Sequence, residues 1–183
     1  MVKKIMVLLM SFVVGLFLIG VAQAQEFTVK QGDKEMSFAA GYSKIQFEGV
    51  DDLDVISLSG FLGYFFTDNF EGAINIEYLD MSITNIDLTG MGIGADIKYH
   101  FVTTGKAIPY IGVQYNYLDA EAGVGGLSVD GSASMYGPFV GLKIPVNSSV
   151  IISPEYQYDM FSGDLGDFID GAHVFSIGIS FKF

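Results

Sequence analysis

The 183-residue chain has no cysteine, no tryptophan and no arginine, and it has only two histidines and four prolines. Without cysteine there is no disulfide framework, no thiol nucleophile and no thiolate-bound zinc or iron–sulfur centre. Without arginine its nine cationic side chains are all lysines, set against 21 acids for a formal charge of −12. A pI near 4.2 argues against nucleic acid, whose phosphates call for a basic stripe. Beyond residue 24 no stretch reaches the roughly 18 consecutive apolar residues of a membrane helix. Yet half the residues are hydrophobic, and the mean hydropathy of +0.43 is high for a domain dissolved in water.

The N-terminus has the layout of an export signal: Met1-Val2-Lys3-Lys4 is positive, residues 5–22 are apolar, and Ala22-Gln23-Ala24 offers small residues for cleavage before Gln25. Residues 1–24 are therefore expected to be a signal peptide, 25–34 a periplasmic lead-in and 35–183 a single folded domain.

Past the lead-in, hydrophobicity alternates with a period of two. In residues 90–101, Met91, Ile93, Ala95, Ile97, Tyr99 and Phe101 share one face, and Gly90, Gly92, Gly94, Asp96, Lys98 and His100 share the other. That period is the signature of a strand with one apolar face. The rhythm recurs around residues 36–47, 56–66, 70–78, 109–117, 136–144, 152–158 and 175–183, giving eight strands. The first is the weakest, because Lys44 shares the parity of Met36, Phe38, Ala40 and Tyr42. Connections alternate between short (67–69, 102–106, 145–149) and long (48–54, 80–87, 119–132, 160–171). Short turns at one end and long loops at the other predict an all-β, eight-stranded antiparallel up-and-down transmembrane β-barrel. A closed sheet leaves no backbone edge unpaired in lipid. Pro138 and Pro154 lie inside strands and call for bulges or strand ends.

Aromatic side chains sort by height. With the short turns periplasmic, the lower strand ends carry Tyr64, Phe66, Tyr99, Phe101, Phe181 and Phe183, and the upper ends carry Tyr78, Tyr115, Tyr117, Tyr136, Tyr156, Tyr158 and Phe175. Aliphatic residues lie between them. Two aromatic girdles around an aliphatic band match the two interfaces of a bilayer.

The segment Gly63-Tyr64-Phe65-Phe66-Thr67-Asp68-Asn69-Phe70-Glu71, the strand Pro109-Tyr110-Ile111-Gly112-Val113 and the terminal Gly178-Ile179-Ser180-Phe181-Lys182-Phe183 resemble the small eight-stranded outer-membrane barrels of the OmpA/OmpX or OmpW type, over residues 35–183. The resemblance implies a location in the cell outer membrane of a didermal bacterium. It also implies contact with outer-membrane lipids and lipopolysaccharide, and recognition of Phe183 by the barrel-assembly machinery. No wall-binding domain follows Phe183, so an OmpA-like anchor is not expected. One such scaffold hosts many roles.

An eight-stranded barrel is only wide enough inside for its own side chains. The predicted inward set includes Glu71, Glu77, Asp96, Lys98, His100, Lys143, Glu155, Gln157 and Lys182. Its four acids and three lysines are expected to pair as a polar plug, with a gated ion path as the sharper alternative. Enzyme chemistry finds little support. His173 and Ser176 suggest a lipid-cleaving pair, but their opposite parity sends them to opposite faces. No phosphate loop, metal-binding histidine cluster or nucleophile elbow is present, and no cofactor is expected.

The long loops collect Glu48, Asp51, Asp52, Asp54, Asp80, Asp87, Asp119, Glu121, Asp130, Asp159, Asp164, Asp167 and Asp170, with no lysine among them. Such a rim keeps loops solvated. Asp51, Asp52, Asp54, Asp164, Asp167 and Asp170 are weak candidates for divalent cations, since oxygen clusters suit Ca²⁺ or Mg²⁺, although neither group has EF-hand spacing. The expected function is a non-enzymatic envelope-structural or surface-interaction barrel. A narrow channel for ions or small solutes, and a lipid A- or phospholipid-modifying enzyme, stand as alternatives.

Overall fold

The computed structural model describes residues 27–45, 53–83, 86–124, 127–163 and 171–183, with the side chains at 44–45, 53–54, 81–83, 86–88, 122–124 and 127–130 left aside. The strands are β1 (Phe27–Thr28), β2 (Lys34–Ile45), β3 (Leu53–Phe65), β4 (Phe70–Ile83), β5 (Ile86–His100), β6 (Thr104–Gly105), β7 (Ile108–Val124), β8 (Leu127–Pro145), β9 (Val150–Gly163) and β10 (Ala172–Lys182). Eight of them close into an antiparallel barrel in the order β10-β2-β3-β4-β5-β7-β8-β9, and β1 pairs separately with β6. The seam that closes the cylinder runs from His173↔Lys44 to Lys182↔Glu35 without a break.

The period-two pattern produces an inverted distribution of polarity. Ile76 is 63% exposed, while Asn75 beside it is 3% exposed and Glu71 1%. Met91, Ile93, Val113, Val140, Phe175 and Ile179 are likewise exposed, and the buried set is rich in acids, amides and lysines. In water this arrangement would expose apolar surface and bury charge, each unfavourable. In lipid both signs reverse, and the closed hydrogen-bond ladder becomes obligatory.

Short turns are fixed by local side-chain chemistry. Thr67 Oγ1 accepts hydrogen bonds from the amides of Asn69 and Phe70 at 3.3 and 3.0 Å. Asn147 Oδ1 accepts from Ser149 and Val150, both at 2.9 Å. Ser/Thr and Asn are favoured in tight turns because they mimic backbone acceptors in this way.

Two expectations are corrected. Residues 80–87 and 119–132 are largely strand rather than loop: β4 runs to Ile83, β5 starts at Ile86, β7 runs to Val124 and β8 starts at Leu127. Above the lipid both faces of a strand are wet, so polarity stops alternating while the backbone ladder continues. The register around Pro138 and Pro154 does not slip, so neither sits in a bulge. Instead β8–β9 pairing is interrupted at 137–138 and again at 142–143, opposite Pro154, and resumes in the same register. A proline cannot donate to the ladder, and both prolines place their loss on this one seam. The segment ahead of β2 is described from Phe27. Phe27 and Val29 are buried with Phe65, Ile108 and Ile151 in an apolar cluster at the short-turn end. Gly32, at φ 89°, makes the reversal that leads into β2.

Candidate functional site: the filled lumen

Among the described side chains, alternate residues of the barrel strands point inward. The lumen is stoppered at the bottom by the Phe27 cluster and at the top by Val55, Leu79, Leu118, Met135, Ala172 and Val174, with Phe161 packed against them. Between these stoppers lies the polar interior. Among the described residues it holds three adjoining cavities of about 30, 20 and 20 Å³, each of the order needed by a single water. Glycines in the wall make room for the large side chains: a Cβ at Gly63 would collide with Glu71, and one at Gly141 with the ring of Tyr110.

Lys143 organises the lower level. Its Nζ lies 2.5 Å from Glu35 Oε2 and 2.8 Å from Glu71 Oε2, and all three residues are almost fully buried. His100 Nε2 is 3.5 Å from Glu71 Oε2. Its ring packs against Phe65 and Tyr110, with centroids 5.1 and 5.6 Å away. Lys98 lies 3.7 Å from Asp96 Oδ2 and 5.2 Å from the ring centroid of Phe61. The Tyr110 hydroxyl donates to Glu155 Oε2 at 3.0 Å.

The upper level has no such cations. Asp96, paired below with Lys98, also accepts from Asn75 Nδ2 above it at 2.7 Å, and Glu77 accepts from Asn116 Nδ2 at 3.3 Å. Asp159 accepts from Gln114 Nε2 at 2.8 Å and from Gln157 Nε2 at 2.7 Å. Among the described residues no lysine forms an ion pair with Glu77 or Asp159.

The sequence-predicted residues distribute unevenly. Lys143, Glu71, His100, Lys98, Asp96 and Glu155 come together below, and Glu77 and Gln157 sit above. Lys182 does not join them. It bonds Thr28 O at 2.6 Å and Asp33 Oδ2 at 3.0 Å at the lower mouth, where its Nζ lies 4.5 Å from the Phe27 ring centroid. Glu35 and Asp159 belong to the interior, and Asp159, expected in a loop, is 1% exposed. Their parity was readable, but β2 has weak phase and Asp159 follows a girdle tyrosine. Among the described side chains the interior charge is therefore not near balance: Glu35, Glu71, Glu77, Asp96, Glu155 and Asp159 face Lys98 and Lys143.

Outside the barrel, Tyr64–Phe66, Phe70–Tyr99 and Tyr99–Phe101 pack as neighbouring ring pairs at the lower end, 5.1–5.5 Å between centroids. At the upper end Tyr156 and Tyr158 pack on His173, Tyr156 packs on Phe175, and Tyr115 bonds Ser134 at 2.8 Å. Tyr78 and Tyr117 line an open outer groove of about 710 Å³ with Met91, Asp119, Glu121 and Ser132. This groove is shallow and lies outside the barrel, away from the buried charges. His173 is exposed on the outer face, bonded to Tyr156 at 2.6 Å, while Ser176 lines the lumen, so the two form no catalytic pair. Asp51, Asp52, Asp164, Asp167 and Asp170, like residues 1–24 where a signal peptide is expected, lie outside the described residues, and only the backbone of Asp54 is described.

Residues 12–183 match the family model for the outer membrane protein beta-barrel domain. Among solved structures, Neisserial surface protein A is similar with a TM-score of 0.70 at 20% identity, over 84% of this chain and 100% of that one. The Yersinia pestis attachment invasion locus protein Ail has a TM-score of 0.59 at 14% identity, over 84% and 99%. The N-terminal β-barrel domain of Pseudomonas aeruginosa OprF has a TM-score of 0.58 at 20% identity, over 84% and 99%. These likenesses concern the fold. No curated protein matches the chain.

Proposed function

The chain belongs to the outer membrane protein beta-barrel domain family, and from that premise we propose that it is a closed, non-enzymatic barrel serving envelope structure or surface interaction through its acidic upper rim. The observation that carries this reading is the lumen, filled by side chains and capped at both ends by apolar clusters. A conducting pore needs a continuous wet path, whereas the interior cavities here are single-water sized. The rim acids Asp80, Asp119 and Glu121 are exposed on strands that extend past the upper girdle. They suit a solvated surface in contact with lipopolysaccharide, with divalent cations as bridges between like charges. Residues 1–24 act in this reading as the signal peptide and 25–34 as a periplasmic lead-in, and Phe183 is the mark read by the assembly machinery.

The test is conductance of the refolded protein in planar lipid bilayers. The expected result is no steady current above the bare membrane, and a reproducible single-channel step would overturn the closed-lumen reading. Lipid product analysis on the same preparation should show no hydrolysis.

A further inference from the structure

We propose that the upper lumen binds a hard monovalent cation of the sodium type, held between the Glu77 carboxylate and the side-chain oxygens of Asn75 and Asn116. Three observations converge. Charge is the first: among the described inward residues six carboxylates face two ammonium groups. Both ammonium groups lie on the lower level, with Glu35, Glu71 and Asp96. An uncompensated charge in a low-dielectric interior is strongly unfavourable, and ionisable groups within a membrane pair with something.

Unpartnered oxygen is the second. Asn75 and Asn116 are 3% and 2% exposed, and in each the Oδ1 atom has no hydrogen-bond partner. Their orientation is fixed, because each Nδ2 donates to a carboxylate, Asn75 to Asp96 and Asn116 to Glu77. The amide oxygens are thus committed as acceptors with nothing to accept, at a cost of about 1–3 kcal/mol each if left so.

Space is the third. Asn75, Glu77 and Asn116 line one cavity of about 20 Å³ together with Ser57. Glu77 and Ser57 also line the adjoining one, which Asp159 borders. A bare ion, about the size of one water, fits such a volume.

The donor set decides the class of ion. It is all oxygen, with no thiolate in the chain, and His100 lies at the lower end beside Glu71. Oxygen donors select hard cations. One carboxylate with neutral oxygens matches a single positive charge. Among the described residues no group of three or more His, Asp or Glu is arranged to hold a metal ion, as the more highly charged sites for divalent ions require. The proposal stands apart from the role of the rim, and a conducting lumen would register in the bilayer experiment rather than in the one that follows.

The full-length protein, folded in detergent micelles, is melted in sodium chloride and in choline chloride at equal ionic strength and pH, and its sodium-23 relaxation is measured. The expected result is a saturable rise in melting temperature of several degrees with sodium, together with excess sodium-23 relaxation. Both are lost in Glu77→Gln and retained in Asp119→Asn at the outer rim. Identical melting in the two salts, or a sodium response that survives Glu77→Gln, would overturn the proposal. So would stabilisation by acid alone with no effect of sodium at any pH, which would assign the neutralising role to protons. If Glu77→Gln fails to fold, wild-type relaxation together with Asn116→Ala decides, because that change removes one oxygen and keeps the carboxylate.

Discussion

The two levels of the lumen solve one problem in different ways. Below, Lys143 sits between Glu35 and Glu71, so charge meets charge at 2.5 and 2.8 Å. Above, among the described residues, Glu77 and Asp159 are held by amide donors, at 2.7–3.3 Å. An ammonium ion shared by two carboxylates is a closed device: remove it and two buried anions are left bare. An amide shell is an open one, since dipoles can reorient, a small ion can enter or a carboxylate can take a proton. The lower level is therefore built for rigidity and the upper level for adjustment, and that asymmetry lies along the barrel axis, where alternation of polarity gives no hint of it.

The largest expected effect comes from breaking the lower level. Lys143→Met keeps the volume and removes the charge, leaving Glu35 and Glu71 unpaired. Loss of one partner from a buried pair costs about 3–5 kcal/mol. The urea midpoint for loss of the compact, heat-modifiable gel band in micelles should fall accordingly. Adding Glu35→Gln and Glu71→Gln to that variant should recover most of the loss, because the three changes together remove the charges as well as the bridge. An unchanged midpoint in Lys143→Met alone would dissolve the lower network as a stabilising unit.

How much of this could be read from sequence follows the same axis. Within the lipid-facing band the outer face must be apolar, so Ile74, Ile76, Met91, Ile93, Val113 and Val140 announce the phase, and Lys98 and Lys143 point inward by default. The number and order of barrel strands follow from that phase and from the turns at Thr67 and Asn147. Above the band the constraint lapses, which is why β7 and β8 extend past their expected ends to Val124 and Leu127, and why Asp159 read as a loop acid. The pairings were illegible for another reason. Glu35 and Lys143 are 108 residues apart, and their meeting depends on the shear of the closed cylinder rather than on any local pattern. Phe27 and Val29 are too short a run to signal a strand, yet they fill the lower mouth.

A smaller effect is expected at that mouth, where the lower level is sealed. Phe27→Ala removes a ring from the cluster with Phe65, Ile108 and Ile151. It also removes the face that Lys182 covers at 4.5 Å. A ring deleted from a closed core typically costs about 3–5 kcal/mol, but a terminal segment can undock instead, so only local opening is affected. Tryptic cleavage at Lys30 and Lys34 should accelerate about tenfold, the change in open population produced by roughly 1.4 kcal/mol, while the barrel's urea midpoint stays put. A midpoint that fell as far as in Lys143→Met would make the lead-in part of the barrel's cooperative unit.

The smallest effect is expected above, and it sharpens the contrast most. Asp159 accepts one bond from Gln114 on Oδ1 and one from Gln157 on Oδ2, so Asp159→Asn keeps one acceptor and sets an NH₂ group against the other amide. A glutamine can turn its own oxygen toward that NH₂, which restores the bond. Against the residual mismatch stands the removal of a buried negative charge with no ammonium partner, a change that is often neutral or stabilising. The net shift in sodium-free buffer should lie within about 1 kcal/mol of zero, on the stabilising side, at the scale of a single hydrogen bond. Should Asp159→Asn instead destabilise as much as Lys143→Met, the amide shell would be as closed as the ion bridge below it. The two levels would then differ in composition and not in kind.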